Sequence, residues 1–441
     1  MHWLEKVIDI LSCPSSDLRV LAGIAGYDAK VLYKGTCMSG LDLSDQDIDD
    51  LELDYSNFTE LPFSSAKAKQ YIIENQPLPN VWANKIYYFR ASKRRIAKIN
   101  QLSQCVNLRE VRLNDTLISD LSALEKCTEL LSVEVAGTSV ADLTPLRNAK
   151  NLSFLDISNT RVSDLSPLQD SRLRFLIASN TNIRSIDPID VSALWRLDVA
   201  GSKIDNIDAL SQNKIIRTLN LSSTNIKNVE FLGSSSIIEN LRMNNTKFKI
   251  PDYVCFHNLS FFSADKSAVD DINFVRNSLH IVRISISNTL IKDLSALSGK
   301  VYLKNIFASN TPILDVGCLN ECRSLFSANF ANTDVENFDA LAGIRELKYL
   351  IVAGSKVKDM SAFAKSSVEH LDASSCLDLD YDSIKNLDSL RWLHLGGIDV
   401  PRLGSKLKFP KNLKFFYASR KVIDHFSDYI KSKNINAFYV D

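Results

Sequence analysis

The group of side chains whose spacing could do chemistry together is Asp372 and His394, with His370 and Trp392 beside them. A carboxylate beside an imidazole can orient the ring and tune a proton transfer. Asp372 and His394 are 22 residues apart, and so are His370 and Trp392. Among residues that share the alternation of this pair along the strand, the one nucleophile is Ser374, two residues past Asp372. The chain contains no GxxxxGK[ST], no GxGxxG after a strand, no GxSxG and no HExxH. Phosphate-cradling, dinucleotide, acyl-transfer and zinc-hydrolase chemistries therefore have no supporting motif. Cys318 and Cys322 lack a second cysteine pair to complete a zinc set. The expectation is a protein that is not an enzyme, with no metal and no cofactor, in which these residues bind rather than react.

The spacing of 22 is the period of the chain. NLSFLDISNTRVSDLSPL (Asn151–Leu168) recurs as NLREVRLNDTLISDLSAL (Asn107–Leu124) and as IIRTLNLSSTNIKNVEFL (Ile215–Leu232). Anchored on the Thr of "SNT", sixteen copies run from Arg94 through Thr116, Thr138 and Thr160 to Ile398 and Arg420, in steps of 21 or 22 residues. Apolar residues stand three and five before each anchor, as in Leu155 and Ile157, or Leu219 and Leu221. That period of two places them on one side of a short strand. Asp120, Asp142, Asp164, Asp293, Asp315 and Asp359 recur after the anchor, where a carboxylate can cap a short helical turn. A repeat this short leaves room for a 3₁₀ turn and not for a long helix. No repeat can bury its own apolar side, so the copies must stack.

The pattern resembles the leucine-rich repeat, LxxLxLxxNxL, and its short period and DLSPL segment look most like the internalin-type repeats of bacteria. The resemblance covers about Lys85 to Arg420. It implies an α/β solenoid of about 16 coils, with a parallel concave sheet and 3₁₀ turns on the convex face. Thr or Ser fills the usual asparagine position in twelve consecutive copies, Thr116 to Ser355. A hydroxyl has one donor where an amide has two, yet is small enough to keep the turn tight, so this column reads as structural. Cys105 and Cys127, one repeat apart at apolar positions, read as two buried thiols.

Residues six, four and two before each anchor face outward on the concave side. The third of these columns is almost all small, with Asp265 the main exception. The other two carry aromatic rings where threonine or serine would fold equally well. Such rings supply anchor area for a protein ligand. The candidate binding residues are Phe154, Phe175, Phe261, Phe307, Tyr349, His370, Asp372, Trp392, His394 and Phe416, densest in the C-terminal half. The bland alternative is that some of these rings pack on each other or lie under a terminal segment.

The ends must cap the stack. Residues 1–35 read as a helical N-terminal cap, 36–84 as an acidic segment and connection, 85–421 as the solenoid, and 422–441 as a C-terminal cap of helix and last strand, NAFYV. Met38, Leu43, Ile48, Leu53 and Phe58 recur every five residues, which resembles a pentapeptide repeat. With Leu21–Gly35 this stretch is similar to an N-terminal module of bacterial conflict proteins. Asp42, Asp45, Asp47, Asp49, Asp50, Glu52 and Asp54 carry no interleaved base, which leaves two readings, a solvated rim or a docking patch for a basic partner.

Lysine plus arginine balances aspartate plus glutamate, 52 against 52, so nothing in the overall charge favours nucleic acid or an anionic membrane. Arg90, Lys93, Arg94, Arg95 and Lys98 read as a solvated first coil. No apolar run approaches the ~20 residues of a membrane span, and Met1–Leu11 is too charged for a signal peptide. The expected compartment is cytoplasmic. The expected function is non-catalytic recognition of a protein ligand on the concave face. The rival is a sensor or regulatory subunit of an antiviral or toxin-like system acting with a separate effector.

Overall fold

The structure is a computed structural model that describes residues 64–234, 237–403 and 407–440 of the 441. The expected helical cap at 1–35, the acidic run and the five-residue pattern of Met38 to Phe58 lie outside the described residues. The chain divides into two compact units. The first ends at Asn220 and includes Thr224–Ile226; the second holds Leu221–Ser223 and everything from Lys227.

The first unit opens with two helices, α1 (Ser65–Ile73) and α2 (Asn80–Ala83). Ser64 caps α1 by accepting the Lys67 N–H. Ile72 and Trp82 are buried, and both helices lie on the 3₁₀ turn Asn100–Gln104 of the first coil. Seven short strands follow: β1 (Tyr88–Arg90), β2 (Glu110–Arg112), β3 (Ser132–Glu134), β4 (Phe154–Asp156), β5 (Phe175–Ile177), β6 (Arg196–Asp198) and β7 (Thr218–Asn220). Each pairs in parallel with the next, one repeat along, so that Phe154 faces Phe175 and Asp156 faces Ile177.

The second unit continues the pattern with β8 (Asn240–Arg242), β9 (Phe261–Ser263), β10 (Arg283–Ser285), β11 (Asn305–Phe307), β12 (Ser327–Asn329), β13 (Tyr349–Ile351), β14 (His370–Asp372), β15 (Trp392–Leu395), β16 (Phe415–Ala418) and β17 (Asn436–Tyr439). These ten also pair in parallel in chain order. Short helices at Arg420–His425 and Ser427–Ser432 precede β17. The apolar columns are fully buried, for example Leu155, Ile157, Leu371 and Leu393.

The turns show why these residues recur. The anchor hydroxyl donates to the carbonyl three residues back: Thr160 to Ile157 at 2.6 Å, Thr289 to Ile286 at 2.6 Å, Thr333 to Phe330 at 2.7 Å. In these coils it closes its own turn, whereas the Ser355 hydroxyl lies 3.9 Å from the Cys376 thiol, the anchor of the next coil. The residue before the anchor takes a positive φ in every coil from Lys93 to Gly397. That left-handed conformation favours Asn and Gly, which the sequence places in ten of these fifteen coils. At Gly201 and Gly354 an added Cβ would also come within 2.2 Å of the amide oxygen of Asn180 and Asn332 in the coil before. On the other side of each repeat, Asp120, Asp142, Asp164, Asp293, Asp315 and Asp359 each accept the N–H of the residue two on, the first of a 3₁₀ turn. This supplies a partner to a helix N-terminus that otherwise has none.

Candidate functional site

The outward columns behave differently along the chain. In the first unit the strand face begins as an ion-pair row. Arg90 meets Glu110 at 2.7 Å, Arg112 meets Glu110 at 2.5 Å and Glu134 at 3.0 Å, and Asn114 donates to Glu134 at 3.0 Å. Burial still pushes the Glu134 carboxyl up, against the pull of Arg112. Arg90, read from sequence as part of a solvated coil, is therefore tied into this row. Next come rings. Phe154 and Phe175 lie 5.9 Å apart, and Phe175 lies 5.7 Å from Trp195, a ring the sequence reading did not include.

In the second unit Phe261 sits beneath two guanidinium groups, Arg242 at 4.8 Å and Arg283 at 5.6 Å, and Arg283 also covers Phe307 at 4.9 Å. These cation–π contacts leave little bare aromatic face.

The densest arrangement is further on. Parallel pairing in register brings Tyr349, His370 and Trp392 into one row and Ile351, Asp372 and His394 into the next. Tyr349 and His370 stack with centroids 4.3 Å apart, His370 and Trp392 at 3.8 Å, and Trp392 and Phe415 at 5.1 Å with planes within 8°. Phe326 adds a tilted ring at 5.2 Å from Tyr349. In the parallel row His394 stacks on Tyr417 at 4.0 Å, and Tyr417 on Phe438 at 4.9 Å. The rings are thus half-buried by one another, the bland expectation, yet their edges together form one exposed surface.

One expected residue is misplaced. Phe416 does not face outward: it is fully buried against Phe409, at 4.9 Å edge-on. The pairing of Trp392 with Phe415 makes the step from β15 to β16 one residue longer than the anchors imply, because that coil has an extra residue alongside the helix Val400–Leu403. Phe415 and Tyr417 take the outward places instead. No threonine marks the turn there, and three successive aromatics fit either register.

Asp372 and His394 are brought side by side by the register, but Asp372 bonds elsewhere: it accepts the N–H of Ser374 at 3.0 Å, and the Ser374 hydroxyl accepts the N–H of Gly396 at 3.1 Å. No hydrogen bond joins Asp372, His394 and Ser374 side chain to side chain. Burial pushes the imidazoles of His370 and His394 below the usual histidine range, against the opposing pull of Glu369 and Asp372 respectively. Both rings are therefore neutral near pH 7 and stack as aromatics. Among the described residues no cluster of three or more His, Cys, Asp or Glu could hold a metal ion. Cys105 and Cys127 are both free thiols, pushed up by burial to about 12 and about 11. Among the described residues no helix is long and apolar enough to cross a membrane.

The parallel sheet, the one-repeat register and the 3₁₀ turns define a leucine-rich-repeat solenoid. Solved structures with the same fold include InlF, an internalin from Listeria monocytogenes, at 17% identity and TM-score 0.50, covering 78% of this chain and 93% of that one. The leucine-rich-repeat protein LIC12759 from Leptospira interrogans matches at 14% identity and TM-score 0.61, covering 85% and 98%. The plant peptide hormone receptor RGFR1, solved in complex with RGF2, matches at 15% identity and TM-score 0.59, covering 78% and 65%. No protein-family model and no curated protein matches the sequence.

Proposed function

We propose that this chain is a non-catalytic recognition module that takes a protein or peptide ligand on its concave strand face. The observation that carries this reading is the continuous row Tyr349–His370–Trp392–Phe415, stacked and still partly open to solvent. A row already packed by its neighbours loses little side-chain entropy on binding, which is what makes rigid aromatic surface an anchor. Beyond the neighbouring row of Ile351, Asp372 and His394, the small residues Ala353 and Ser374 let a ligand backbone approach the sheet. The same fold in RGFR1 serves a peptide hormone receptor, solved in complex with RGF2, which supports a peptide-sized ligand here.

The test is affinity capture on the immobilised full chain, run in parallel with Trp392→Ala. A protein captured by the native chain should be lost from the variant while circular dichroism stays native. Capture that is indifferent to Trp392→Ala and to Tyr349→Ala would move the site elsewhere on the molecule.

A further inference from the structure

A groove of about 820 Å³ runs beside the aromatic row and meets it at Phe415. It follows the points where the chain enters the strands: Lys348, Glu369, Arg391 and Lys414 precede Tyr349, His370, Trp392 and Phe415. Lys411, Asp388 and Lys433 complete its charged lining, five cations against two carboxylates. Both carboxylates are already engaged. Glu369 is shared between Lys348 at 2.9 Å and Arg391 at 3.7 Å, and Asp388 is held by Lys411 at 2.8 Å. Lys414 and Lys433 are exposed and have no ion-pair partner among the described residues. The lining thus leaves a net positive charge directly beside the rings.

We infer that this groove seats the acidic side chains of a peptide ligand whose apolar residues lie along Tyr349–Phe415, so that the partner of this face is an acidic polypeptide. The inference builds on the reading of the aromatic row as a ligand site and adds the ligand's charge. Charge complementarity selects the occupant, because a carboxylate over Lys414 and Lys433 gains two cations and displaces no existing ion pair. Three features favour a polypeptide over a nucleic acid. A carboxylate interrupts the entry row, which reads Lys348, Glu369, Arg391, Lys414 at the strand spacing of about 4.8 Å. A phosphodiester backbone, charged at every unit, would set phosphate against Glu369, whereas a peptide places its charges singly. Rings stacked face to face present their edges, so a base finds no open face along the row. Ser367, Asn434 and Asn436 also line the groove and offer both donors and acceptors, which match the N–H and C=O groups of a peptide backbone.

Fluorescence anisotropy of the full chain with defined polymers tests it. The probes are labelled random copolymers of glutamate with tyrosine and of lysine with tyrosine, and a labelled oligothymidylate. The glutamate copolymer should bind and the lysine copolymer should not. Lys414→Glu with Lys433→Glu should weaken the glutamate copolymer at least about tenfold, because two attractions become two repulsions. The same charge change at Lys247 and Lys292, exposed lysines in other coils of this unit, should alter it less than about twofold, since distant exposed charges are screened. All four lysines are exposed, so both double variants should melt like the native chain. Trp392→Ala reads the row separately. Loss of binding in Trp392→Ala but not in the groove variant would overturn the acidic ligand and leave the row as a ligand site. Loss in the groove variant but not in Trp392→Ala would uphold the groove as an acidic-peptide site and overturn the reading of the row. No binding of the glutamate copolymer, equal losses in the two double variants, or tighter binding of oligothymidylate would each overturn the inference.

Discussion

His370 lies with its ring 3.8 Å from that of Trp392 and 7° from parallel, held there because β14 and β15 pair in register. The contact is a consequence of the repeat: any two residues one period apart are set side by side, and two flat rings so placed stack. Trp392→Ala removes this contact and the one to Phe415 at 5.1 Å. Aromatic pairs contribute roughly 0.5–1.5 kcal/mol beyond their area. The variant should therefore fold and melt a few degrees lower, while losing about 2 kcal/mol or more of affinity for any ligand on this row. Phe154→Ala, in the first unit, should fold equally well and bind normally. Calorimetry with the captured partner distinguishes these outcomes.

The two stacked histidines give the second unit a pH dependence. Their folded values are lowered from 6.5, with burial the main cause. The unfolded chain therefore takes up protons first as pH falls, and stability drops below about pH 6.5 until the folded rings also protonate. The melting temperature should fall between pH 7.5 and pH 5.5 by more in the native chain than in the double variant His370→Phe, His394→Phe. Glu134, whose carboxyl burial pushes up, is present in both and cancels in the comparison. Equal pH slopes would show that the rings titrate as if exposed.

The anchor hydroxyl makes a third prediction, with a control built into the sequence. Thr160 donates to the Ile157 carbonyl at 2.6 Å inside the coil. Thr160→Val keeps the shape and orphans that carbonyl, at a cost of about 1–2 kcal/mol. Ser202 occupies the same column, but its buried hydroxyl has no hydrogen-bond partner. Ser202→Ala should be close to neutral in the same denaturant titration. If both cost the same, the column contributes through packing and not through its hydrogen bond.

Much of this fold was readable because the repeat states it many times. One strand of three residues carries little information, but Leu155 and Ile157 recur with the same spacing in coil after coil, and the capping aspartates recur with them. The partners of single side chains were not readable. Arg283 lies over Phe261 and Phe307 only because strand pairing sets neighbouring coils side by side. Phe326, Trp195 and Lys348 are not marked by the repeat because they lie one residue before the outward columns, where the chain enters the strand and periodicity no longer sorts faces. The left-handed position before each anchor was visible as a run of Asn and Gly, and its meaning follows from the positive φ it adopts.

The shifted register of the last coils gives the sharpest mutational contrast. Phe415 and Phe416 are chemically identical neighbours on β16, and strand alternation sends them to opposite sides. Phe416 is fully buried and meets Phe409 edge-on, and Phe409 in turn stacks on Tyr429 from the C-terminal helices. Phe416→Ala empties a cavity in this packing and should cost about 3–5 kcal/mol, as large-to-small core substitutions do. Phe415 ends the outward row, touching Trp392 at 5.1 Å and, more distantly, Phe438 at 6.4 Å. Phe415→Ala should cost only about 1 kcal/mol, because it forfeits stacking and leaves no sealed cavity. It should nonetheless weaken a ligand bound along Tyr349–Trp392, whereas Phe416→Ala in the folded fraction should not. Chemical denaturation of the two variants, with binding measured well below the unfolding midpoint, separates the effects. The reverse order of stabilities would mean that β16 pairs with β15 without the extra residue, and that Phe416 belongs to the binding face after all.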